Sequence, residues 1–133
     1  MSGIRAPVAA YLAAFNAGHW AAMRGIFTDD AQIWGVLGYG GLDEIEPIWR
    51  ELHDGLAMKL EPVAVAVDGT TVALRYRETG RFVGYFRGLA DHQPTGRSYE
   101  ITAMEWFELE GDRIARRWGA RDSATIMRQL LGE

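Results

Sequence analysis

Residues 97–133 read RSYEITAMEWFELEGDRIARRWGARDSATIMRQLLGE, and the fold follows from how the apolar positions repeat in this stretch. Tyr99, Ile101, Ala103, Phe107 and Leu109 fall at a period of two, which predicts a strand with one apolar face. Glu110-Gly111-Asp112 supplies a tight turn, because Gly accepts the positive φ that a short hairpin loop needs. A second strand then returns over 113–120 with Ile114 and Trp118 in step. Ser123 opens a closing helix with Ile126, Met127, Leu130 and Leu131 on one side. In this reading Glu105 shares the apolar face, and Asp122 ends the second strand four residues after Trp118. An acid at the mouth of an apolar face is a proton-transfer candidate, because desolvation raises its pKa. The structural alternative is equally open for both. Asp122 directly precedes a Ser-initiated helix and fits an N-cap, and Glu105 fits an ion pair with an Arg or an exposed edge.

Upstream, Ile4, Val8, Tyr11, Leu12 and Phe15 lie three and four apart and predict a helix over 5–16 that ends at Gly18. A short helix over 20–26 turns Trp20, Met23 and Phe27 inward and breaks at Thr28-Asp29-Asp30. A strand over 31–36 follows, then the loop Gly38-Tyr39-Gly40-Gly41, which lacks the spacing and the Lys of a phosphate cradle. Asp43 with Glu46 resembles a capping box for a third helix reaching about residue 54, with Ile45, Ile48, Trp49 and Leu52 on its inner stripe. A strand over 58–67 carries Pro62, which places that part at an edge or a bulge. Asp68-Gly69 turns into a strand over 71–79, with Val72, Leu74 and Tyr76 opposite Arg75 and Arg77. That strand is expected to continue through a bulge near Gly80 towards Tyr85-Phe86. Helices followed by hairpin-linked strands indicate an α+β fold. We expect one domain over 1–133: a strongly curved antiparallel sheet wrapped around the N-terminal helices, cone-shaped, with a central pocket of the kind small ligands use.

Composition narrows the function classes. At 133 residues, 48% hydrophobic and 24% charged, the chain suits a single core. A net charge of −4 provides no basic field, so no nucleic-acid partner is expected. The absence of Cys excludes disulfides and thiolate metal sites. His19, His53 and His92 lie on separate elements without metal-ligand spacing, so no metal is expected. No apolar run approaches the ~20 residues of a membrane span, and the start lacks the pattern of a secretory signal; a cytoplasmic location away from membranes is the expectation. No Ser sits in a GxSxG motif, which disfavours covalent hydrolysis.

Several motifs carry a family likeness. Tyr11-Leu12-Ala13-Ala14-Phe15-Asn16 with Trp20, Gly41-Leu42 followed by Ile48-Trp49 and Leu52, and Pro94-Thr95-Gly96-Arg97 are three of them. Met104-Glu105-Trp106-Phe107, Gly111-Asp112-Arg113-Ile114, Trp118, Asp122 and Arg128-Gln129-Leu130-Leu131-Gly132 complete the set. Together they resemble the SnoaL-like polyketide and ester cyclases of the nuclear transport factor 2 superfamily, over nearly the whole chain. The resemblance implies a cone-shaped α+β fold and, in the members that cyclise polyketides, an Asp near the chain end acting as acid/base in a metal-free intramolecular aldol closure. Asp122 matches that Asp by position, and family sequences often carry an acid at the place of Glu105. Two departures stand out: Thr79-Gly80-Arg81-Phe82-Val83-Gly84 lacks the family's Gly-x-His-x-Gly, and Leu56-Ala57-Met58 stands where many members read Pro-Asp.

The expected site therefore has Asp122 and Glu105 as catalytic acids and no cofactor. Tyr11, Phe15, Asn16, Trp34, Tyr39, Trp49, His53, Tyr76 and Trp118 are its expected walls and donors, with core packing as the alternative for each aromatic. The ligand is expected to be a medium-sized apolar or aromatic carbonyl compound. A homodimer is expected through the outer sheet face, where Met104 and Trp106 stand opposite Glu105. Isomerase, dehydratase or epoxide hydrolase chemistry in the same fold, or a non-catalytic ligand-binding or dimerisation module, are the alternatives.

Overall fold

The computed structural model describes residues 3–132. Helix α1 (Ala6–Ala17) buries Val8, Tyr11, Leu12 and Phe15, the stripe its spacing predicts, and closes on Gly18 in the left-handed conformation. Helix α2 (Trp20–Ile26) runs directly into strand β1 (Phe27–Trp34). No break separates them at Thr28–Asp30, because Phe27 already lies beside Ile114 and the intervening residues ride in an irregularity before Gln32. The short strand β2 (Tyr39–Gly40) folds back on β1. Helix α3 (Leu42–Leu56) is two residues longer than its sequence signals suggest. Asp43 and Glu46 do not form a capping box; each holds Arg24 instead, at 2.7 Å. Gly55 lies inside the last turn of α3 because a Cβ there would stand 2.1 Å from the Tyr85 carbonyl oxygen.

Strands β3 (Lys59–Asp68), β4 (Thr71–Arg81), β5 (Ser98–Glu110) and β6 (Arg113–Arg121) complete a six-stranded sheet of order β2-β1-β6-β5-β4-β3, and helix α4 (Ser123–Leu131) follows. The fold is α+β with a curled, unclosed sheet, as expected, but the sheet is mixed: β1 and β6 run parallel while every other pair is antiparallel. Pro62 sits on the outermost strand beside a bulge, where its missing N–H breaks no essential ladder bond. Gly80 makes no bulge. It pairs in register with Tyr99, and a Cβ would lie 2.3 Å from the Tyr99 ring and 2.4 Å from the Leu56 carbonyl oxygen. The chain leaves the sheet after Arg81, so Tyr85 and Phe86 lie outside it.

The concave face of the sheet packs on α1 and α3. Tyr11 meets Phe27, Trp49 and Phe107 edge-on, with ring centroids 5.2–6.3 Å apart, and a buried Phe or Leu side chain of this kind contributes ~1.5–3 kcal/mol. This aromatic cluster is part of the buried core. No helix among the described residues is long and apolar enough to cross a membrane.

One register detail sets the character of the inner wall. Leu109 pairs with Ile114, but Glu108 pairs with Arg116, so Ala115 is an extra residue in β6. An extra residue reverses the in-out alternation beyond it. Arg117, Gly119 and Arg121 therefore stand opposite the inward-facing Phe107, Glu105 and Ala103, while Trp118 and Ala120 turn outward.

Candidate functional site

Two ion pairs lie on the inner wall. Arg117 Nη2 donates to Glu105 Oε2 at 2.7 Å, and the same carboxylate accepts from the Tyr11 hydroxyl at 3.1 Å and from the Tyr76 hydroxyl at 2.8 Å. One turn of the pleat away, Arg121 donates through Nε and Nη2 to both oxygens of Glu78, which also accepts from the Tyr99 hydroxyl at 2.6 Å. Glu78, Glu105 and Arg117 are all buried. A buried ion pair is tolerable only when further hydrogen bonds replace its lost water, and the tyrosines supply them. Burial, and then the charge of Glu105, drives the Tyr76 hydroxyl far above its ordinary pKa. Burial raises Tyr11 and Tyr99 as well, so all three remain donors. Burial disfavours the charges of Arg117 and Arg121, but Glu105 and Glu78 more than offset this and hold both arginines above their ordinary values.

Arg117 and Arg121, and neither Glu78 nor Glu105, line the inner cavities. A cavity of about 30 Å³ lies between α3, the loop 35–38 and β6, bounded by Ile45, Ile48, Trp49 and Leu52 on one side and by Arg117, Gly119 and Arg121 on the other. A second, of about 40 Å³, lies towards α4, lined by Leu56, Phe86, Arg121, Ser123, Ile126 and Met127. Val36 and Leu37 wall both. Each has room for one or two waters, whereas small-ligand pockets run ~300–1,000 Å³. The roomy central pocket that the sequence suggests is thus closed down to two small chambers meeting at Arg121.

The expected site residues divide sharply. Glu105, Tyr11 and Tyr76 come together in one buried cluster, and Trp49 lines the first cavity. Phe15 is core. Asn16 clamps β3, donating to the Leu60 carbonyl and accepting from its N–H, both at 2.9 Å. His53 packs edge-on against Phe15 and Trp20, away from both cavities. Trp34, Tyr39 and Trp118 are on the outer face, where Trp34 stacks on Trp118 at 4.7 Å and on Tyr39 at 5.2 Å. The Ala115 bulge explains the outward turn of Trp118. It also leaves Arg121 on the inner wall and Asp122 exposed.

Asp122 lacks the dry setting that would raise its pKa. It is exposed and caps α4, accepting from the Thr125 hydroxyl at 2.6 Å and from the Thr125 N–H at 3.1 Å. Those bonds, the hydroxyl first, hold its carboxyl below the ordinary range. Sequence reasoning missed Glu78, Arg117 and Arg121. Glu78 was detectable, since it continues the period-two run of Val72, Leu74 and Tyr76; the two arginines were hidden by the bulge.

The model of the SnoaL-like domain matches residues 8–117. The chain belongs to the SnoaL-like family. No curated protein matches it in sequence. Solved structures agree on the fold of this SnoaL-like domain. IdmH, a candidate polyketide cyclase from Streptomyces antibioticus, superposes with a TM-score of 0.82 at 23% identity over 96% of each chain. A candidate polyketide cyclase from Pseudomonas putida gives 0.80 at 23% identity, over 96% of this chain and 99% of that one. A Catenulispora acidiphila protein with a ketosteroid isomerase-like fold gives 0.76 at 13% identity, over 94% and 92%.

Proposed function

We propose that this SnoaL-like protein carries out cyclase-type, metal-free acid/base chemistry on a medium-sized apolar or aromatic carbonyl compound. The supporting observation is the inner wall: two fixed guanidinium groups border an otherwise apolar hollow, a setting that stabilises negative charge as it develops on a carbonyl oxygen. Glu105 and Glu78 act as positioning residues, since each is held behind its arginine. Asp122 is the proton acceptor in this proposal. It stands in sequence between Arg121 and Ser123, which both line the second cavity, and in this reading it acts once its cap on α4 is released. Its capped state favours a second reading, a ligand-binding module without turnover.

Exchange of α-protons with deuterated solvent, followed by NMR on aryl ketones and aromatic poly-ketones, separates the two. Asp122→Asn preserves the N-cap and is expected to slow exchange by ~10²–10⁴-fold with little change in binding. Exchange at the wild-type rate in that variant would remove Asp122 from the mechanism. Binding without exchange in the unaltered protein would favour the module.

The outer face carries a further proposal, a homodimer. One rung across the sheet reads Tyr39, Trp34, Trp118, Trp106, Ala73 and Ala66. Met104 and Trp106 are about half exposed on it. An open hollow of about 500 Å³ lies over Ala64, Ala66, Ala73, Met104, Trp106 and Trp118. Large side chains beside a small-residue floor suit self-complementary packing of two copies.

A further inference from the structure

The two inner-wall arginines carry more donors than the protein gives acceptors. A guanidinium has five N–H groups. Arg117 uses three: one from Nη1 to the Trp34 carbonyl at 3.1 Å, and two from Nη2 to Glu105 and Tyr11. Its Nε is buried with no partner among the described residues. Arg121 also uses three, from Nε and Nη2, and one of these goes to the Met58 thioether at 3.1 Å, a weak acceptor. Its Nη1 donates to nothing among the described residues. Buried donors without acceptors are rare in native interiors. Arg117 Nε is such a donor, and Arg117 and Arg121, the inward positions on either side of Gly119 in one strand, border the same cavity.

We propose that the space between Arg117 and Arg121 is a clamp for a planar two-oxygen anion carried by an apolar molecule, either a carboxylate or the enolate of a 1,3-dicarbonyl. Such a group is acceptor-only and presents about four lone-pair sites, which answers a surplus of donors held in fixed forks. Glu105 and Glu78 already balance the two positive charges from behind, so recognition rests on hydrogen-bond geometry and planarity. Gly119 lies between the two arginines and leaves room for them: a Cβ there would stand 3.0 Å from Arg117 Nη1 and 3.4 Å from its Cζ. The body of the ligand has a defined direction. Gly35–Gly38 is closed by one backbone bond, from the Gly35 N–H to the Gly38 carbonyl at 2.9 Å, and places Val36 and Leu37 between the two cavities. Moving those two side chains outward joins the chambers into a slot from the arginines to Phe86, Ile126 and Met127. The inference rests on reading this hollow as the ligand site, and it does not require turnover.

The test uses benzoate, benzoylacetone and the neutral benzyl alcohol on the unaltered protein, with binding read by calorimetry and enolate formation by absorbance. Benzoate, or the benzoylacetone enolate, is expected to bind at least tenfold more tightly than benzyl alcohol. Bound benzoylacetone should ionise at a pH lower by a unit or more. A response to benzoate alone assigns a carboxylate, a response to benzoylacetone alone assigns an enolate, and equal affinity for all three compounds overturns the clamp. Gly119→Ala presses on Arg117 without removing its charge, and should weaken the anion at least tenfold while leaving benzyl alcohol unchanged; equal weakening of both also counts against the clamp. Anion binding without α-proton exchange would remove the acid/base proposal and leave this one standing. Exchange without anion preference would do the reverse.

Discussion

Replacing Glu105 by Gln should destabilise the protein far more than removing both members of its ion pair. Glu105 is 6% exposed and accepts from Arg117, Tyr11 and Tyr76. Gln keeps one acceptor for Tyr76 but turns an amide donor towards donors on Arg117 and Tyr11, and leaves the buried guanidinium without a counter-charge. Breaking a buried pair from one side costs ~3–5 kcal/mol. Total stability for a chain of this size is ~5–15 kcal/mol, so a fifth or more is lost. With an unfolding entropy of ~2.1 cal/mol/K per residue, the corresponding fall in Tm is ~10–18 °C. Replacing both partners, Glu105→Leu with Arg117→Met, removes both desolvated charges and should recover more than half of that loss. Urea unfolding followed by circular dichroism and Trp fluorescence gives the comparison, with m expected to stay constant so that changes in midpoint report stability. A loss under ~1 kcal/mol for Glu105→Gln, or a double variant worse than the single one, would refute the view that this pair is desolvated and satisfied only as a pair.

The folded-state carboxyl of Asp122 titrates below its ordinary value, so its contribution is fully present above the unfolded pKa of ~3.9 and is lost as pH falls through the lower folded value. Amide exchange at Thr125 and Ile126 should accelerate in that acid range, whereas Asp122→Asn should show no such step; a step that persists in the variant would assign it to another group. On the outer face, Trp106→Glu is expected to shift sedimentation from dimer to monomer at micromolar protein with the fold retained. An unaltered protein already monomeric there would remove the sheet face as an interface between copies.

Period-two patterning made most of the sheet legible. The alternation of Val72, Leu74 and Tyr76, and of Tyr99, Ile101, Ala103 and Phe107, places those side chains inside without ambiguity. Glu105 could be placed inward on the same ground, because a one-residue slip of β5 would expose the whole set. The pairing of β1 with β6 was not legible, since a parallel contact between distant segments leaves no local turn signal. Gly80 was visible as a special position, but sequence alone does not separate a bulge from a close approach, and the Leu56 carbonyl and Tyr99 ring decide for the latter. The misplacement of Trp118 and Asp122 on the inner face has one source. Alternation counted from Ile114 puts Trp118 and Asp122 inside, and the count fails at Ala115, where no Gly or Pro marks the irregularity.

That single residue makes the chemistry of the inner wall separable from the composition of the strand. Arg117, Arg121, Trp118 and Asp122 could keep their identities while a bulge relocated beyond residue 122 exchanged which of them look inward. A cationic wall and an acidic wall are therefore neighbours in sequence space, separated by a shift in the position of one surplus residue instead of by replacement of the reactive groups. Within a family built on this sheet, the chemistry of the hollow can change by slippage before any of its side chains mutates, and a comparison that aligns identities without aligning strand register would assign the change to the wrong residues.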